Sequence, residues 1–210
     1  MTDSIAFSAL LCSRLCHDLV NPVGAFSNGL EILADEDDPD IRRQVVELLA
    51  QSAGQTAQRL QFFRLAFGAG SGFGGTIPAA ALRDAATAYF AGGKVQLAWE
   101  AEILEVTREA GKILLNLILI ASEALLRGGV LAVGSARSGG QLELTVTATG
   151  DRLLFKPEMA TALKGEAEID ALDPKTAPAH LAAAMARLVG GSITAAYEQD
   201  RLLRLAVRLA

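Results

Sequence analysis

The sequence predicts a two-domain α+β protein: a helical hairpin forming a four-helix bundle by dimerisation, followed by an α/β sandwich. Three observations carry this. Apolar residues recur at helical spacing through residues 3–34 and again through 40–67. Five glycines fall within the eight residues Gly68–Gly75. Beyond them, helix-like and strand-like stretches alternate, as in a layered α+β unit.

In the first helix the apolar marks are Ile5, Phe7, Leu10, Leu11, Leu15 and Leu19, then Leu30 and Leu33. Pro22 interrupts that pattern and predicts a kink, because it lacks a backbone donor and crowds the carbonyl four residues back. Asp35–Pro39 reads as an acidic turn, with Pro39 suited to open a helix. The second helix, about 40–67, carries Ile41, Val45, Leu48, Leu60 and Phe63. A hairpin alone cannot bury both apolar faces, so a second copy is the economical partner. Gly68–Gly75 cannot sustain a helix and predicts a flexible hinge. The expected division is therefore 1–67, a hinge at 68–75, and 76–210. In the last unit, helices are expected at 78–90, 107–126 and 178–189. Strands are expected at 95–99, 130–136, 142–149, 192–197 and 202–207, with helices on one face of a mixed sheet.

Composition narrows the function. The 210 residues are 51% hydrophobic with a formal charge of −5, which disfavours disorder and phosphate-neutralising nucleic-acid binding. Residues 113–126 are apolar but broken by Asn116, Ser122 and Glu123, and too short for the roughly 20 residues of a membrane span. No secretory signal opens the chain. Cys12 and Cys16, one helical turn apart, suit a reducing cytoplasm. With His17 they make a poor zinc site, since no distant fourth ligand is evident.

The chemistry concentrates around one of the two histidines, in Cys16-His17-Asp18-Leu19-Val20-Asn21-Pro22. Asp18 can keep one ring nitrogen of His17 protonated and leave the other as a nucleophile. On a helix Arg14 and Asn21 share the His17 face. The same residues also suit a solvated helix histidine with an acidic neighbour. His180 lacks clustered carboxylates or thiols and reads as a residue near a helix start.

The stretch Leu15–Ala25 resembles the phospho-acceptor box of two-component histidine kinases. The longer run Leu11–Ala25, continued by Asn28-Gly29-Leu30-Glu31, is similar to the ChpT-type histidine phosphotransferases, and the resemblance extends over nearly the whole chain. It implies that the second unit is a degenerate histidine-kinase-type (Bergerat-like) ATPase domain. Ile113–Ala121 resembles the kinase Asn-box helix and retains Asn116, but Ile120 stands where a magnesium-binding Asn falls. Val146–Arg152 resembles the second box, with Ala148 in place of the adenine-reading Asp. Ala177-Pro178-Ala179 stands where a glycine-rich phosphate loop is expected. Isoleucine offers magnesium no oxygen, alanine accepts no adenine proton, and an Ala-Pro-Ala loop lacks an amide donor.

The resemblance implies a homodimeric phosphotransfer protein without ATP-dependent kinase activity. His17 would relay phosphoryl groups between receiver-domain aspartates of a hybrid histidine kinase and of response regulators. Asp18 would orient the ring, Arg14 offset phosphate charge, and Asn21 hydrogen-bond it, or orient a water for dephosphorylation. No cofactor is expected on this chain; Mg2+ is expected in the partner receiver. Two other readings are an active kinase with an unusual nucleotide pocket and a non-catalytic dimeric adaptor. The intact His-box speaks against the adaptor, and the three lost nucleotide residues against the kinase.

Overall fold

The computed structural model describes residues 2–68 and 74–209, so most of the expected hinge, residues 69–73, lies outside the described residues. Helices α1 (Thr2–Asp35) and α2 (Pro39–Ala66) are joined by three residues. The turn is set locally. The Asp38 carboxylate accepts from the amides of Asp40 and Ile41 at 2.8 and 3.3 Å, and Pro39 occupies a first-turn position where no donor is needed. Asp18 lies against Arg59, and Gly29 against Val45 and Leu49. Partners thus descend in α2 as residues ascend in α1, and the hairpin is antiparallel. At Gly29 a Cβ would lie 2.7 Å from Leu49 Cδ2, so glycine permits the close approach. The helix α1 continues through Pro22.

Strand β1 (Thr76–Pro78) leads into α3 (Ala79–Phe90), β2 (Val95–Trp99), β3 (Glu105–Thr107) and α4 (Arg108–Ala124). Then follow β4 (Gly129–Ser138), β5 (Gln141–Thr149), α5 (Pro157–Lys164), a 3-10 turn at Ile169–Ala171, α6 (Ala177–Leu188), β6 (Ser192–Glu198) and β7 (Leu202–Leu209). The main sheet has the order β2-β4-β5-β7-β6; β2 runs parallel to β4 and the other pairs are antiparallel. Along β5, Leu142, Leu144, Val146 and Ala148 are buried while Glu143, Thr145 and Thr147 alternate outward, so helices cover one face only. On the open face Glu143 pairs with Arg204 and Arg208 across the strands.

Three elements were not anticipated. Strands β1 and β3 pair antiparallel through three residues each, too short to show a period. Helix α5 did carry a signal: Pro157 opens it, and Gly165, at φ 69°, closes it in the left-handed conformation. The residues Ala177-Pro178-Ala179 are no loop. They form the buried first turn of α6, as alanine's helix propensity and a first-turn proline favour.

Apart from Asn116, helix α4 is apolar from Ile113 through Ala121, and this stretch is buried because the sheet, α6 and the end of α2 enclose it. Phe62, Phe63 and Ala66 of α2 belong to the same core. Asn116 ties the two together: its fully buried amide donates to the carbonyls of Ala66 at 3.0 Å and Lys112 at 2.8 Å. The Ala66 carbonyl is one of the α2 C-terminal acceptors that lack a helical donor. Replacing Asn116 by Ala strands that acceptor, and we expect a loss of about 1–3 kcal/mol, read as a lower urea midpoint at unchanged m value.

His180, on α6, faces α1, with its ring 5.1 Å from that of Phe7. Burial, and secondarily Arg187, holds its pKa below the ordinary histidine value. A depressed folded pKa means stability that is present above the unfolded value of about 6.5 and lost as pH falls below it. A His180→Phe variant lacks this proton uptake. Its Tm relative to wild type should therefore be higher at pH 5.5 than at pH 8; an equal difference would show that the ring does not titrate against the fold.

Candidate functional site

His17 projects from α1 with 73% of its side chain exposed, whereas Asp18 beside it is buried. Its Nδ1 lies 3.0 Å from Asp18 Oδ1. A carboxylate can only accept, so Nδ1 carries the proton and Nε2 keeps its lone pair for chemistry. The other carboxylate oxygen, Oδ2, is held from two sides. Arg14 Nε and Nη2 each donate to it at 3.1 Å, and the Tyr89 hydroxyl of α3 donates at 3.4 Å. Burial pushes the Tyr89 phenol far above its ordinary pKa, and the Asp18 charge adds to this, so it remains a donor.

Arg14 does not stand free beside His17. It is buried, and its remaining guanidinium nitrogen pairs with Glu123 of α4. Burial opposes its charge, but Glu123 and Asp18 outweigh that and hold its pKa above the ordinary value. Burial raises the Glu123 pKa, and Arg14 works against the rise. Asn21, one turn beyond His17, is exposed. The residues that sequence reasoning missed are Tyr89, Glu123 and Arg59. A signal existed for Glu123, since a carboxylate inside an apolar helix calls for a buried cation.

Beside His17 a cleft of about 520 Å³ opens between α1 and the second segment, walled by Asp18, Ile120, Glu123, Phe155, Lys175 and Thr176. Ile120 presents only hydrocarbon to it. Ala148 is sealed in β5, paired in register with Leu131 and Leu203. The loop before α6 is folded on itself: the Asp173 carboxylate accepts from the amides of Lys175 at 2.9 Å and Thr176 at 2.7 Å, and from the Thr176 hydroxyl at 2.9 Å. Although burial raises the Asp173 pKa, those bonds prevail and hold it below the usual value. No helix among the described residues is long and apolar enough to cross a membrane.

Residues 79–201 match the family described as the histidine phosphotransferase C-terminal domain. Over 195 residues the chain is 34% identical to the protein phosphotransferase ChpT of Brucella abortus (strain 2308), spanning 91% of this chain and 90% of that protein. A solved bacterial phosphotransferase superposes with a TM-score of 0.83 at 30% identity, over 97% of this chain and 96% of that one. The histidine kinase domain of the blue-light-activated kinase from Erythrobacter litoralis EL346 shares the fold at a TM-score of 0.50 and 15% identity, over 90% and 93% of the two chains. Fold and likeness together define the class: a phosphotransferase on a histidine-kinase-like α+β scaffold. The chain belongs to the family of ChpT-type histidine phosphotransferases.

Proposed function

We propose that this protein is a homodimeric, cytoplasmic phosphorelay intermediate that carries phosphoryl groups between receiver-domain aspartates on His17. The observation that supports this most is the His17–Asp18 pair. Nε2 of the exposed imidazole attacks the phosphorus of an aspartyl phosphate in line; the P–N bond forms as the bond to the aspartyl oxygen breaks, and the receiver's carboxylate leaves. Nδ1 keeps its proton, and Asp18 stabilises the positive ring that results. Arg14 acts through Asp18, because its own donors engage carboxylates. Asn21 is exposed where it can hydrogen-bond the phosphoryl group or orient a water. The receiver supplies Mg2+ from its own acidic site, and this chain binds no cofactor.

Two features support an ATPase-like fold that has left ATP behind: the oxygen-free Ile120 in the cleft and the self-occupied loop at Asp173. Dimerisation into a four-helix bundle is supported by Val20, Val23, Leu30, Ile41, Val46 and Leu48, which the hairpin leaves exposed. The free thiols of Cys12 and Cys16 suit a reducing compartment.

The test presents the protein with labelled ATP and, separately, with a phosphorylated receiver domain of a hybrid kinase. Label from the receiver alone is the expected result. Label from ATP would make the protein a kinase, and label from neither would make it an adaptor.

A further inference from the structure

Pro22 leaves a debt that another residue settles. In an α-helix the Asp18 carbonyl accepts from the amide of residue 22, and proline has none. Here Arg59 Nη1 of α2 donates to that carbonyl at 2.6 Å. The same guanidinium lies 5.9 Å from the centre of the Tyr89 ring, whose hydroxyl reaches Asp18 Oδ2. Arg59 therefore touches Asp18 through its peptide and, by way of Tyr89, through its carboxylate. Both contacts converge on the residue that orients His17.

We propose that Arg59 is a positioning residue for phosphotransfer, fixing the proline-weakened turn that holds Asp18 under the His17 imidazole. This rests on the assignment of His17 as phosphoryl acceptor. The proline opens the helical ladder at the one carbonyl beside the acceptor, and a cation from the facing helix closes it. That arrangement fixes the turn from α2 and makes the setting of His17 depend on the register of the hairpin. A simple surface cation would need neither the missing amide nor the carbonyl contact.

The proposal makes a prediction that direct phosphate binding by Arg59 does not share. Replacing Arg59 by Met keeps the aliphatic stem and removes the donors; phosphate acceptance from a phosphorylated receiver should slow by about tenfold or more. Changing Pro22 to Ala in the same chain returns an amide to the Asp18 carbonyl, and the double variant Arg59→Met, Pro22→Ala should regain most of that rate. A parallel readout that needs no phosphotransfer is the 15N signal pair of the His17 ring. Wild type should show one dominant tautomer protonated at Nδ1, Arg59→Met a mixture, and the double variant the wild-type pattern.

A slowed single variant recovered by Pro22→Ala, with the tautomer restored, supports positioning. An Arg59→Met protein at the wild-type rate overturns it, and so does a slowed variant that Pro22→Ala fails to recover. Should Arg59→Met alone fold poorly, Arg59→Lys against the double variant decides the matter. Positioning requires the double variant to transfer at a rate within about threefold of Arg59→Lys, and a larger deficit overturns it. Absence of label on wild type would instead defeat the assignment of His17 and leave the tautomer test of Arg59 standing.

Discussion

A His17→Ala protein incubated with a phosphorylated receiver should take up no label while folding as wild type does. The imidazole is exposed and hydrogen-bonds to Asp18, which keeps Arg14 and Tyr89 in the variant. Surface substitutions of this kind shift stability by about 0.5 kcal/mol or less, a Tm change of roughly 2 °C at most for a chain of this size. Acceptance should fall to background, because the sequence holds one other histidine and it is not placed as His17 is. His180, the other histidine, packs against Phe7 and lies partly buried on α6. Label persisting on His17→Ala would show that another side chain accepts the phosphoryl group.

The largest stability effect is expected at Arg14. Its guanidinium serves two carboxylates, Asp18 and Glu123, which are buried or partly buried. Replacement by Met leaves both without their cation, and removing one member of a buried pair typically costs about 3–5 kcal/mol. Against a total stability of about 5–15 kcal/mol, that loss is severe. The sign of its pH dependence follows from the charges. Burial already raises the Glu123 pKa against the pull of Arg14; without that cation the rise is larger, so the protonated form of Glu123 favours the fold. The variant should therefore be least stable at neutral pH and recover part of the loss as pH falls toward the ordinary carboxyl range near 4. Adding Glu123→Gln to Arg14→Met should restore part of the urea midpoint, since one uncompensated charge is gone. A double variant no more stable than Arg14→Met would show that Glu123 is not an essential part of the network.

What was legible in the sequence was local. The hairpin follows from apolar periodicity and from Asp38-Pro39, whose capping chemistry acts within three residues. The His17–Asp18 contact joins adjacent residues, and Arg14–Asp18 joins positions one turn apart, so both can be read from a helical wheel. The wheel misled in one respect. It placed Arg14 on the His17 face as a free cation, whereas the second segment supplies Glu123 and draws Arg14 inward. Tyr89 and Arg59 were invisible because they meet Asp18 across 71 and 41 residues of chain. Pro22 held half of the Arg59 signal, a missing donor, but no periodicity names the group that replaces it. Asn116, legible as a retained box residue, caps α2 in the structure.

The loop before α6 has a consequence for competition. The amides of Lys175 and Thr176 are occupied by a carboxylate from the same loop, two and three residues away. A dissolved anion arriving at those donors meets a rival that never diffuses off. Even short flexible tethers give millimolar effective concentrations, and this turn is shorter and stiffer than such a linker. A free anion of the same intrinsic affinity for those amides would have to exceed roughly millimolar concentration to displace the carboxylate. The loop thus carries its own tethered anion, and a dilute free one competes at a disadvantage.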